Sequence, residues 1–279
     1  EILLHLYPEI GQIDSSSKIL KFNNADVSRT ELEVTADGIR KNPKSYCAWN
    51  HRLWIVSRFV VDLNEELALC KEFLKADQRN FHCWNYRRHV HELSHHPFEQ
   101  EIEYSKEKIL ENFSNYSAFH HRSVYLSELF EQRPEALKPI LEQEFSIVES
   151  AIFTEPDDQS AWWYLQFLCR FSIISWSSED KSRFRPEQLL EILLGLLELV
   201  HSLLELEQFK SRWAMNSNVY LIDLLLSTNS FLSILKNSDQ YAALIQRRRE
   251  YLQQLIDRDP AHENRYLYLL HKQADLESS

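Results

Sequence analysis

The sequence predicts an all-α chain, an α-α superhelix built as a solenoid of helical hairpins, and three observations predict it. Glycine is nearly absent, with three in 279 residues, where ordinary usage is roughly 7%; tight turns, hairpin sheets and phosphate-cradling loops need more. Hydrophobic residues make up 44% of the chain, enough for a sizeable core, and they fall at helical spacing. A block of eight residues returns four times, with its large aromatic at Trp49, Trp84, Phe119 and Trp162. A period near 35 residues marks an array of helix pairs. No such pair can bury its apolar stripe alone, so neighbours stack, here into an expected right-handed curved solenoid.

The four blocks are SYCAWNHR (45–52), NFHCWNYR (80–87), NYSAFHHR (115–122) and DQSAWWYL (158–165). Their first column is Ser45, Asn80, Asn115 and Asp158, the side chains that best accept from the free N–H groups of a helix N-terminus. Each block therefore opens a helix. The fifth column is the aromatic anchor. The eighth holds Arg52, Arg87 and Arg122, then Leu165, three residues past the aromatic and on its face. A residue that recurs in every repeat serves the repeat, so these arginines are expected to bond carbonyls or carboxylates of the neighbouring hairpin. Phe119 keeps the anchor without the indole N–H, and Leu165 carries no guanidinium.

The other elements follow in order. Residues 1–41 read as a truncated first repeat: EILLHLYPEI is the tail of an earlier unit, and 28–41 form a second helix ending before Asn42-Pro43. Further second helices are expected over 65–76, 99–111 and 138–153, giving clear repeats over about 42–174. The Glu-rich stretch 141–155 reads as solvated helix face or interface rim. SWSSEDKSRFRPEQ (175–188) reads as a polar connection. Helices then follow near 187–207, 212–228, 230–235 and 238–257, with LLEILLGLLELV (189–200) as a buried helix. IDRDPAHENRYLYLLHKQ repeats the helix, Asp-Pro, helix boundary and reads as a degenerate last repeat. The C-terminal helices (187–272) complete one helical-repeat domain over 1–279.

Charge and composition exclude several functions. A net charge of -11 argues against a dedicated nucleic-acid binder. No glycine-rich loop is present for a Rossmann or P-loop reading. No run of eighteen apolar residues predicts a transmembrane segment. Cys47, Cys70, Cys83 and Cys169 form no C-x-x-C pair and read as reduced thiols of a cytoplasmic protein. The histidines at 89, 91, 95 and 96 lack carboxylate or cysteine partners in a zinc pattern and are cut off by Pro97, so they read as a surface cluster.

Lys44 is the leading candidate for function. It precedes the cap Ser45, beside a helix N-terminus that favours an anion; the plainer alternative is a solvated lysine beside a turn. Tyr46 offers a hydroxyl near the same place or packs at the helix start. Arg79, Phe81 and His82 occupy the corresponding elbow of the next repeat, where His82 is equally a hydrogen-bonding residue or a structural one. Arg88, on a different face from Arg87, is a further contact candidate.

These motifs carry a family resemblance. The linked motifs NPKSYCAWNHRLW, RNFHCWNYRR, NFSNYSAFHHRS and FTEPDDQSAWWY resemble the repeats of protein prenyltransferase alpha subunits, most closely the Rab geranylgeranyltransferase type, strongly over about 30–170 and weakly to about 268. The resemblance implies a heterodimeric, cytoplasmic enzyme that transfers geranylgeranyl from geranylgeranyl diphosphate to C-terminal cysteines of Rab GTPases. It implies that this chain scaffolds a beta subunit holding the catalytic zinc and the isoprenoid cavity, and meets a Rab escort protein. It assigns Lys44 and Tyr46 to the diphosphate side of catalysis and Lys44, Arg79 and His82 to donor binding, with no metal bound by this chain. The alternatives are the alpha subunit of a farnesyl/type-I or third geranylgeranyl enzyme, or a non-enzymatic helical-repeat adaptor. The Trp-x-x-Arg columns do not fit a tetratricopeptide array.

Overall fold

The computed structural model describes residues 25–133, 137–178 and 185–277. EILLHLYPEI and residues 179–184 of the 175–188 connection lie outside the described residues. The helices are α1 (Ala25–Lys41), α2 (Tyr46–Arg58), α3 (Leu63–Ala76), α4 (Phe81–Ser94), α5 (Phe98–Glu111), α6 (Tyr116–Gln132) and α7 (Leu137–Thr154). They continue as α8 (Gln159–Ser178), α9 (Pro186–Leu206), α10 (Arg212–Ser227), α11 (Asn229–Leu235), α12 (Gln240–Arg258), a 3-10 turn (Pro260–His262) and α13 (Glu263–Glu277). α8 runs further than the polar composition of its last residues predicts; α9 starts at Pro186, whose missing N–H and fixed φ suit a first helical position. The chain divides into two compact units, one up to Lys108 and one from Ile109, with the boundary inside α5.

In the first unit the best-packed pairs are α1 with α2 and α3 with α4. The hairpin is therefore closed by the short turn before each cap, joining the second helix of one repeat to the first helix of the next. All four predicted caps form. Ser45 Oγ accepts from Ala48 N–H at 3.4 Å, Asn80 Oδ1 from His82 and Cys83 N–H at 3.1 and 3.2 Å, Asn115 Oδ1 from Ala118 N–H at 3.1 Å, and Asp158 Oδ1 from Ser160 N–H at 2.8 Å. Trp49, Trp84, Phe119 and Trp162 are all buried, each one turn inside its helix.

The arginine column is structural, as its recurrence predicts. Arg52 on α2 forms a two-pronged bond to Glu66 on α3, at 2.8 and 2.7 Å, and donates to Leu32 O on α1 at 2.6 Å. Arg87 repeats this with Glu101, at 2.8 and 2.6 Å, and with Leu67 O at 3.2 Å. In the second unit Arg122 grips Glu144 at 2.7 and 2.6 Å. Burial opposes the charge of all three arginines, but the hydrogen bonds and charge of each glutamate outweigh it and hold the guanidinium above its ordinary range. Of the glutamates in 141–155, read as solvated face or interface rim, Glu142, Glu149 and Glu155 are exposed, but Glu144 departs from that reading at 1% exposed, because a buried guanidinium needs a buried carboxylate. Tyrosines in the seventh column add a second bond to the same acids, Tyr86 to Glu66 and Tyr164 to Glu144, both at 2.6 Å. Glu66 and Glu144 thus each join the arginine of their own repeat to the tyrosine of the next.

The indoles perform a second common task. Trp49, Trp84 and Trp162 donate Nε1–H to the carbonyls of Pro43, Gln78 and Pro156, six residues earlier, at 2.8, 2.9 and 2.9 Å. Two of these carbonyls tie one turn to the next: Pro43 O also accepts from Asn80 Nδ2 at 2.9 Å, and Pro156 O from Ser211 Oγ at 2.9 Å. Ser211 also accepts from Ala214 N–H at 3.3 Å, so α10 starts as a fifth copy of the repeat's first helix. The period had concealed it, because the 21-residue α9 and its lead-in lengthen the interval. Trp84→Phe is expected to cost about 0.5–1.5 kcal/mol for the lost hydrogen bond, read as a lower urea midpoint; an unchanged midpoint would mean that the carbonyl bond contributes nothing. In the second unit α9 buries Leu189, Leu193, Leu197, Val200 and Leu204 along one face, α10 packs on α9 and α12, and α12 packs on α13. Among the described residues no single helix is long and apolar enough to cross a membrane.

Candidate functional site

Each first helix is entered through a four-residue turn: Asn42-Pro43-Lys44-Ser45, Asp77-Gln78-Arg79-Asn80, Asn112-Phe113-Ser114-Asn115 and Glu155-Pro156-Asp157-Asp158. The fourth N–H returns to the first carbonyl in every case, at 3.0 to 3.1 Å. In the first three turns the first side chain also accepts from the third N–H, at 3.2, 3.1 and 3.0 Å, as Asn and Asp do in turns. The second carbonyl serves as the indole acceptor in three of the four, and the fourth side chain is the cap. Three of the four positions are therefore committed to the repeat. The third side chain has no common task, and that is where Lys44 and Arg79 stand.

Lys44 is exposed, and its ammonium makes no hydrogen bond or ion pair to a described residue. It sits two residues ahead of α2, whose first N–H groups and positive dipole end attract an anion. Arg79 is exposed on the next turn, and the Asn80–Pro43 bond holds that turn against the first. Sequence reading used Asn80 only as a cap; its other side-chain atom joins the two elbows.

The aromatic residues of the elbows meet. The ring of Tyr46, 64% exposed, meets the His82 ring edge-on at 4.3 Å and lies 6.1 Å from the Phe81 ring. Phe81 and His82 are 3.9 Å apart. His82 lies beneath these rings, buried, and its Nε2 has no hydrogen-bond partner among the described groups. Burial lowers its pKa below the ordinary histidine value, so at neutral pH His82 is an uncharged donor or acceptor. The cations of this surface are Lys44 and Arg79. The structure thus brings Tyr46 and His82 into contact, with Phe81 beside them, and sets Lys44 and Arg79 on the adjoining turns.

The shift of His82 has a consequence for stability. The unfolded chain takes up its proton near pH 6.5 and the folded chain only at lower pH, so the unfolded state binds more protons in between. Stability is full above about pH 6.5 and falls as the pH drops through the folded pKa. His82→Phe is expected to flatten the fall in melting temperature between pH 7 and 5; an unchanged slope would place the proton uptake elsewhere. Among the described residues no three His, Cys, Asp or Glu side chains are placed to hold a metal ion.

Comparison with known proteins bears on what this surface serves. The model of the protein prenyltransferase alpha subunit repeat matches residues 28–59, 63–93, 98–129 and 141–172. The chain is 39% identical over 174 residues to the geranylgeranyl transferase type-2 subunit alpha of Rattus norvegicus, covering 60% of this chain and 29% of the rat protein. It is 31% identical over 243 residues to the Saccharomyces cerevisiae subunit of the same name, covering 83% of this chain and 70% of the yeast protein. The chain thus spans under a third of the rat relative and over two thirds of the yeast one. Among solved structures, a chain of Candida albicans protein geranylgeranyltransferase-I complexed with GGPP superposes with a TM-score of 0.63 at 20% identity, covering 88% of this chain and 72% of that one, which shows a shared all-α hairpin fold. The chain belongs to the protein prenyltransferase alpha-subunit family, with the type-2 geranylgeranyl transferase alpha subunits among its relatives.

Proposed function

We propose that the chain acts as the alpha subunit of a heterodimeric Rab-type protein geranylgeranyltransferase in the cytoplasm. The enzyme moves geranylgeranyl from geranylgeranyl diphosphate to C-terminal cysteines of Rab GTPases presented by an escort protein. The observation that carries this reading is the elbow of exposed Lys44, Tyr46 and Arg79 over buried His82, on a scaffold whose relatives are type-2 alpha subunits.

The chemistry suits those residues. As the allylic carbon–oxygen bond breaks and the cysteine sulfur takes the carbon, negative charge collects on the departing diphosphate. A fixed ammonium and the first N–H groups of α2 stabilise that charge where it develops. Lys44 is assigned to the diphosphate, Tyr46 to a hydroxyl bond beside it, and Arg79 and His82 to the flank of the donor. On this reading the zinc belongs to the beta subunit, where it would hold the acceptor sulfur as thiolate.

Co-expression with a type-2 beta subunit tests the proposal. A stable heterodimer should transfer labelled geranylgeranyl to a Rab with tail cysteines when escort protein is added, and leave a short C-a-a-X peptide unmodified. A heterodimer that modifies the peptide and ignores the Rab would overturn the Rab assignment. Failure to pair with any prenyltransferase beta subunit would overturn the enzymatic one.

A further inference from the structure

The second unit contains a cavity far in sequence from the Lys44 elbow. Its volume is about 710 Å³, within the roughly 300–1,000 Å³ range of small-molecule sites. Residues of α8, α10, α11, α12 and α13 line it. The apolar wall is Leu224, Leu226, Leu232, Ile245 and Leu269. Among the described residues the charged lining is one-sided: Arg170, Lys236, Arg248 and Lys272 against Asp223. That is a concentration of positive charge on a chain of net charge -11.

The charges divide by task. Arg248 is buried and committed, donating to Asp223 at 2.5 and 3.3 Å and to Leu269 O at 3.2 Å. This pair neutralises the cavity's carboxylate and pins α12 to α10 and α13. Arg170, Lys236 and Lys272 remain, all exposed and none ion-paired to a described residue. Tyr220 and Tyr241 add hydroxyl-bearing rings to the lining. Half-buried leucines and three uncommitted cations on the lining of one water-accessible space present both halves of an amphiphile's complement.

We propose that this cavity binds a single-chain phosphate monoester, with its apolar chain against Leu224, Leu232, Ile245 and Leu269 and its phosphate at Arg170, Lys236 and Lys272. Three uncommitted cations favour phosphate, which carries about -1.5 to -2 charges at neutral pH, over a carboxylate, which carries one. The lysines supply point charges that follow a mobile head group, and Arg170 supplies a planar fork for two phosphate oxygens. The site is independent of prenyl transfer and is expected whether or not the chain works in that reaction.

Titration calorimetry of the purified protein with decyl phosphate, below its micelle concentration, tests this. One saturable site is expected. Decanoate should bind at least several-fold more weakly, and inorganic phosphate and decanol more weakly still, since each lacks half of the recognised pattern. The double substitution Lys236→Glu with Lys272→Glu should weaken binding at least tenfold. Leu232→Trp, which fills the cavity without altering its charge, should abolish it. Arg170→Glu, at an exposed helical position, provides a charge reversal should the double variant misfold. Unsaturable binding, equal affinity for decanoate, or undiminished affinity in the charge-reversed and cavity-filled proteins would overturn the proposal.

Discussion

Arg122→Ala is expected to destabilise the unit beginning at Ile109 by about 3–5 kcal/mol, the cost of stranding a buried charge by removing its partner. Glu144 is 1% exposed and Arg122 2%, so the carboxylate would be left buried without a compensating charge. Tyr164 would remain as a hydrogen-bond donor to Glu144, at 2.6 Å, but a hydroxyl supplies no compensating charge. Urea unfolding of the full chain, followed by tryptophan fluorescence, reads the effect. The companion experiment replaces the whole cluster: Arg122→Leu, Glu144→Leu and Tyr164→Phe together. Well-packed apolar residues in place of a buried pair are often neutral or stabilising, and Leu165 already occupies the eighth column in the fourth repeat. The triple variant should recover at least half of the loss. A single variant within about 1 kcal/mol of the parent would refute the cluster's role in joining the repeats.

Lys44→Ala is expected to reduce turnover of the assembled prenyltransferase on the order of 10²-fold, the typical loss when one donor to a developing anion is removed. The heterodimer should persist, because Lys44 lies at the turn position whose side chain has no task common to the repeats. Lys44→Arg should retain more activity than Lys44→Ala, since it keeps the charge. Single-turnover transfer of labelled geranylgeranyl, with gel filtration of the heterodimer, separates chemistry from assembly. Full activity in Lys44→Ala would remove Lys44 from the diphosphate site. Loss of the heterodimer would make it an assembly residue instead.

Much of this was legible in one dimension because the chain repeats itself. The first-column caps, the aromatic anchors and the arginines stand in register, and each column holds one chemical type save for Leu165 in the last. Comparing columns separated the residues the repeat needs from those it does not, which is how Lys44 and Arg79 stood apart from Arg52 and Arg87. The glutamate partners were harder to read. Glu66 and Glu101 each follow their arginine by fourteen residues, a spacing open to discovery, but Glu144 lies after a longer connection and sits in a stretch whose composition resembles a solvated face. The fifth first helix was hidden for a similar reason: Ser211 caps it and bonds Pro156 O, yet Met215 stands where an aromatic would mark the register.

The sequence by itself determined the all-α class, the helix starts, the repeat and the family, because capping, periodicity and column identity are local properties that recur. Only the tertiary structure decided which carboxylates are buried, that Tyr46 and His82 share one surface, and that α8 and the last helices line a cationic, leucine-walled cavity. Those outcomes depend on which helices meet across long separations in the chain. Such contacts carry no fixed spacing, and so leave no pattern in a single sequence.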